Sequence, residues 1–152
     1  MKKIILLLIS VFLIFAMSNT AFAAIGYADY GYISKNYPLA QKYTQTLKSK
    51  SNAIVNYAKQ KDSQVKAAAT ASEKEKIRKE GIAQVQTKQK ELKTLKERYE
   101  TELNSKVTAA AEKVRIQKGL DMIVKKDVRV TGGVNCTNEI LTILKTQSTS
   151  GK

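Results

Sequence analysis

Apolar residues recur along most of this chain at intervals of three and four. Leu92, Leu95, Tyr99, Leu103, Val107, Ala110 and Val114 form one such series, and Tyr43, Leu47, Ile54, Ala58 and Val65 step by four or seven. Two apolar positions per seven residues is the narrow seam of a coiled coil, not the broad face of a globular helix. The residues between are Lys, Gln, Glu and Ala, which favour helix. The pattern therefore predicts helix across 38–118, opened by Pro38, the chain's single proline. Asn36 or Ser34 is placed to cap it, because proline is tolerated in the first helical turn. One uninterrupted helix of that length would extend about 120 Å. The small residues of 67–72 break the seam, and Ser72 followed by Glu73 and Glu75 reads as a new helix start. The expectation is a hairpin arm over 37–118, with its tip near 67–72 and its return limb closed by Gly119.

The flanks of the arm are patterned differently. Residues 25–30, IGYADY, alternate as a short strand. Residues 120–124 form a second strand candidate, with a turn at 125–127. Residues 128–131 alternate apolar and polar as a third, broken by Gly132 and Gly133. Thr137 is a plausible N-cap for a closing helix over 138–145, whose inner face carries Ile140, Leu141 and Leu144. The tail over 148–152 reads as disordered. The fold class is mainly α, with 24–36 and 119–147 forming a small β/α body. Its apolar members are Ile25, Tyr27, Leu120, Met122, Val124, Val128, Val130, Ile140, Leu141 and Leu144. So small a body is marginal alone, and three strands leave open edges. Strands from several copies closing a shared barrel would answer both problems.

The first 23 residues change the setting. Lys2 and Lys3 precede an apolar run over 4–15, and Ala21 and Ala23 flank Phe22 as a cleavage site, which is the order of a secretory signal. The run is about a dozen residues, short of the roughly 20 that span a bilayer. Cleavage after Ala23 is expected, leaving 129 of the 152 residues, and periplasmic export is the expected destination. The processed chain carries 25 Lys and Arg against 13 Asp and Glu, a net charge of +12. Most of it lies on the arm, with 19 basic and 9 acidic residues over 42–118. That excess calls for acidic partners: anionic lipid, lipopolysaccharide, nucleic acid or acidic proteins. Export makes nucleic acid an unlikely ligand. The candidate binding cations are Lys59, Lys61, Lys66, Lys74, Lys76, Arg78, Lys79, Lys88 and Lys90, with Gly81 as a candidate arm hinge.

Catalysis finds no foothold. There is no histidine and one cysteine, Cys136, so the commonest general base and a cysteine zinc site are both missing. No phosphate-loop pattern is present. No enzyme activity, cofactor or metal is expected. Cys136, without a partner in the chain, reads as a buried inert thiol.

The order of parts resembles the Skp/OmpH family of periplasmic chaperones. Three stretches carry the likeness: IGYADY at 25–30 followed by Tyr37 and Pro38, EKVRIQKGLDMIV at 112–124, and GGVNCTNEIL at 132–141. The family's pattern usually has Asp where Asn135 stands and an apolar residue where Cys136 stands. The resemblance implies a trimer with a β-barrel body and three arms around a basic cavity. It also implies an ATP-independent role in holding unfolded outer-membrane proteins. The alternative is a structural or adaptor coiled coil of the cell envelope that binds anionic lipid or an envelope partner.

Overall fold

The computed structural model describes residues 24–149. The expected signal segment and residues 150–152 lie outside that range. The chain runs β1 (Ile25–Ala28), α1 (Tyr30–Asn36), α2 (Pro38–Ala67), α3 (Ala71–Gln117), β2 (Met122–Lys125), a 3₁₀ turn (Lys126–Val128), β3 (Val134–Asn135) and α4 (Thr137–Thr149). It is mostly helical with one small sheet, as the hydrophobic pattern predicts.

The sheet order is β2-β1-β3, with both neighbours parallel to β1. Ile25 pairs with Met122 and Tyr27 with Val124 on one side, and Gly26 with Val134 on the other. Parallel neighbours require crossovers, and the crossover from β1 to β2 is the whole helical arm. Gly26 and Ala28 point inward because the space beneath them is filled. A Cβ on Gly26 would lie 2.8 Å from Leu120 Cδ1, 2.9 Å from Cys136 Sγ and 3.0 Å from Ile123 Cγ1. Beneath the sheet, Ile33 of α1, Tyr37, Val114 at the base of α3, Leu120, Cys136, and Ile140 and Leu144 of α4 form one buried cluster.

Two local readings of the sequence are corrected. Residues 128–131 are not a strand. Val128 belongs to the 3₁₀ turn, and the segment crosses the outer face of β1 on its way from β2 to β3. Both flanks of β1 are already taken within the chain, so the segment crosses that strand without pairing to it, and Val130 is 98 % exposed. Gly132 and Gly133 make the crossing possible, with φ of +72° and +86°. Nor does the first strand reach Tyr30. Asp29 ends it by capping a helix that the tyrosine-rich sequence concealed, and its Oδ1 accepts from Tyr32 N at 2.8 Å. Ser34 and Asn36 consequently sit inside α1 and cap nothing. The N-cap of α2 is Tyr37, held extended as a residue before proline prefers.

The arm is α2, 30 residues, packed against α3, 47 residues, about 45 Å and 70 Å long. Its turn is residues 68–70. Thr70, two residues before the expected start, makes a capping box: its Oγ1 accepts from Glu73 N and its N–H donates to Glu73 Oε2, both at 3.2 Å. At the far end Gly119 takes φ +62°, releasing the chain into the sheet. The closing helix extends beyond its expected end at 145. Residues 146–149 continue it, where disorder was expected from 148. Ser148 Oγ donates to Leu144 O at 2.9 Å within the added turn.

Near the body end of the seam, Tyr43 and Tyr99 stack with centroids 3.7 Å apart and planes 4° from parallel. Burial, followed by the facing Glu102 carboxylate, pushes the Tyr43 hydroxyl up to about 12. A raised folded-state pKa contributes stability that is complete below pH 10 and lost as pH rises through 12. The unfolding midpoint is therefore expected to fall across that window. In Tyr43→Phe the fall should be smaller, measured by chemical denaturation at pH 9, 10, 11 and 12. At the sheet, Gly26→Ala is expected to cost about 1–3 kcal/mol through overpacking. A denaturation midpoint equal to that of the unmodified chain would show that the sheet and its core are not in such close contact.

Candidate functional site

The distribution of ion pairs divides the arm. On the part of α3 nearer the body, three cations are matched by acids one turn away: Lys93 with Glu97 at 4.0 Å, Lys96 with Glu100 at 3.7 Å and Lys106 with Glu102 at 3.8 Å. In the distal half the matching thins. Lys66 pairs with Asp62 at 2.6 Å and Lys79 with Glu75 at 3.7 Å. The other expected binding cations, Lys59, Lys61, Lys74, Lys76, Arg78, Lys88 and Lys90, form no ion pair among the described residues. Exposed i,i+4 pairs contribute only about 0.3–0.5 kcal/mol each, so the division matters less for stability than for the field that the arm presents to solvent.

These cations do not gather into one cluster. Lys61 and Lys88 converge on Tyr57, with their Nζ atoms 5.7 Å and 5.4 Å from the ring centroid. Arg78 stands with Lys61 at one cleft, Lys88 lines a second, and Lys76 lies near the tip. Lys59 and Lys90 are exposed on the outer helix surfaces, and Lys74 is half-buried. Gly81 is buried in the seam, where an added Cβ would meet Lys61 Cβ and Cγ at 3.3 Å. The stem of Lys61 thus lies over Gly81 while its ammonium reaches back towards Tyr57.

The two helices leave the seam open at two places. A cleft of about 520 Å³ at mid-arm is floored by Ile54, Tyr57, Leu92 and Leu95. A second, of about 320 Å³, lies further out, around Ala58 and Gly81. The spacing rule that identified the seam gave no sign of either cleft. For the second, the available signal was the absence of a large side chain at 58 and 81, positions where the apolar period called for one.

In the body, the apolar residues expected to serve association separate into two groups. Leu120, Ile140, Leu141 and Leu144 are spent on the chain's own core. Ile25, Met122, Val128 and Val130 are exposed, and Tyr27 and Val124 are half-buried. The Arg129 guanidinium lies 3.7 Å over the Tyr27 ring, and its Nη1 donates to Gly132 O. Its Nε is buried with no hydrogen-bond partner.

Polar contacts hold the body on the arm. Asp29 joins three elements: besides capping α1, its Oδ2 accepts from Lys126 Nζ at 2.9 Å and its N–H donates to Thr137 Oγ1 at 3.0 Å. The Tyr32 N–H, and then Lys126, hold its carboxyl below the usual carboxylate range. Thr137 is accordingly the first residue of α4, and Asn135 Oδ1 accepts from its N–H at 3.0 Å. An amide oxygen thus does the work at 135 that a carboxylate could do. Lys118, where the chain leaves α3, pairs with Glu139 of α4 at 2.7 Å. That hydrogen bond raises the lysine and lowers the glutamate. Cys136 is fully buried, and burial pushes its thiol up, away from the reactive thiolate.

Among the described residues, no group of His, Cys, Asp and Glu could hold a metal ion. No helix there is long and apolar enough to cross a membrane. No family model matches the chain, and neither does any curated protein. Among solved structures it is similar to the crystal structure of a candidate outer membrane chaperone, described as OmpH-like, from Caulobacter crescentus. The two share 12 % identity over 85 % of this chain and 88 % of that one, with a TM-score of 0.42. Those values are too low to establish a shared family.

Proposed function

We propose that this chain is an exported, ATP-independent holdase that keeps unfolded outer-membrane proteins soluble in the periplasm. The observation that carries the reading is the distal arm: seven cations without ion pairs beside two unfilled apolar clefts, on helices with nothing else packed on them. Long-range attraction brings an acidic unfolded chain to the arm. Strands of membrane barrels alternate apolar and polar residues, and these apolar side chains are exposed while the client is unfolded. Many weak contacts with shallow clefts hold such a chain without imposing a shape on it, and release it without an energy source.

Several copies of the chain act together in this reading. Each sheet has two free edges and an outer face carrying Ile25 and Met122, beside a crossing segment with Val128 and Val130 uncovered. An uncovered apolar sheet face and unpaired edges favour association. The bodies join, a trimer being the state that the sequence resemblance implies, and the arms surround a basic cavity. The segment 128–131, which has no strand partner within one copy, is the natural addition to a neighbour's edge.

Two measurements check this. Light scattering after a urea-denatured outer-membrane β-barrel is diluted into buffer should be suppressed by stoichiometric amounts of the protein. Suppression should weaken between about 50 and about 500 mM salt, as the screening length shortens. No suppression at any salt concentration would favour the envelope-adaptor reading instead. Sedimentation equilibrium at micromolar concentration should give a mass well above that of one chain, and Val130→Asp should lower it. A monomeric mass for the unmodified protein would remove the shared body.

A further inference from the structure

The two clefts of the arm differ in the charge at their rims. The mid-arm cleft has Lys50 and Lys88 at its rim, together with the carboxylate of Glu91, which has no ion pair. The distal cleft has Lys61, Arg78 and Asp62. Asp62 is already engaged by Lys66 at 2.6 Å, so the free charge at this rim is that of two cations. Ala58, Val65, Ile77, Ile82 and Val85 are its apolar lining. The cleft stays open at Ala58, whose side chain is too short to fill it, while the Lys61 stem covers Gly81. Ile82 is 59 % exposed, an apolar wall that gains by being covered. The stem of Lys61 lies across Gly81, which fixes its position at the edge of the cleft.

We infer that this distal cleft is a docking subsite for one aromatic or large apolar side chain of an unfolded client that carries a carboxylate next to it. The inference rests on the holdase reading and specifies what the arm selects within a client. Charge complementarity identifies the occupant. The apolar group lies over Ala58, against Ile77, Ile82 and Val85, and the adjacent carboxylate meets Arg78 and Lys61 at the rim. A segment with the same apolar residue flanked by lysines is repelled, and an acidic segment without it gains only the long-range attraction common to the whole arm. The site thus selects segments in which the two features are adjacent in sequence.

Because the chain contains no tryptophan, the emission of a peptide's tryptophan reports only the peptide. The probe is an unstructured Gly/Ser peptide with one Trp between two Asp, titrated with the full protein. Its emission should shift to the blue on binding. Replacing both Asp by Asn should weaken binding about two- to fivefold. Ala58→Leu, which fills the cleft, should weaken it about tenfold. Ile82→Ser, at an exposed wall where folding is not at risk, should also weaken it. Arg78→Gln should abolish most of the difference between the Asp and Asn peptides, with helicity by circular dichroism unchanged in each variant. Unchanged affinity in Ala58→Leu and Arg78→Gln, or no spectral shift with the unmodified protein, would overturn the subsite. Suppression of client aggregation by that same protein sample would then leave the holdase reading standing, whereas failure of both assays removes the two together.

Discussion

A four-residue strand held between two strands from the far end of the chain is the constraint on which the rest of this molecule depends. β1 pairs Ile25 with Met122 and Gly26 with Val134, so the sheet forms only when the ends of the arm are brought together. Gly26 permits the approach, because any side chain there would collide with Leu120, Ile123 and Cys136. From this single placement follow the burial of Cys136, the position of Asp29 between α1, Lys126 and Thr137, and the Lys118–Glu139 pair that ties the arm's exit to α4. The arm is therefore a long loop, stiffened by helix, whose ends are held by a small body.

That body holds the arm at the cost of leaving its own surface unfinished. It uses Ile33, Leu120, Ile140 and Leu144 inward and leaves Ile25, Met122, Val128 and Val130 outward. In a chain without a disulfide, association of bodies is the economical way to cover this surface. The arm's composition has the complementary logic. Near the body Lys96 and Lys106 of α3 are paired and the seam is filled by the stacked Tyr43 and Tyr99. Further out most cations have no ion pair among the described residues and the seam opens into clefts, so that part is well able to meet a partner.

Much of this arrangement was legible in the residues. The three-and-four spacing gave the arm, Gly119 its end, and the tyrosines their place in the seam, because these features depend on local sequence alone. What was hidden depended on tertiary context. Tyr30 reads as strand until the Asp29 cap is seen to start a helix. Val128 and Val130 alternate as a strand does, but an alternating pattern cannot show whether a partner edge is within reach. The distal cleft was invisible because a missing side chain carries no period. Gly81 was read as a point of flexibility, and the structure shows its close packing against Lys61.

The proposed holdase role is tested most directly by the solubility of a client in the protein's presence. Since the chain lacks tryptophan, the tryptophan signal of a urea-denatured outer-membrane β-barrel can be followed without interference after dilution and centrifugation. The account predicts that with the protein in stoichiometric amount the client's emission stays in the supernatant. Emission lost to the pellet to the same extent with and without the protein would contradict it.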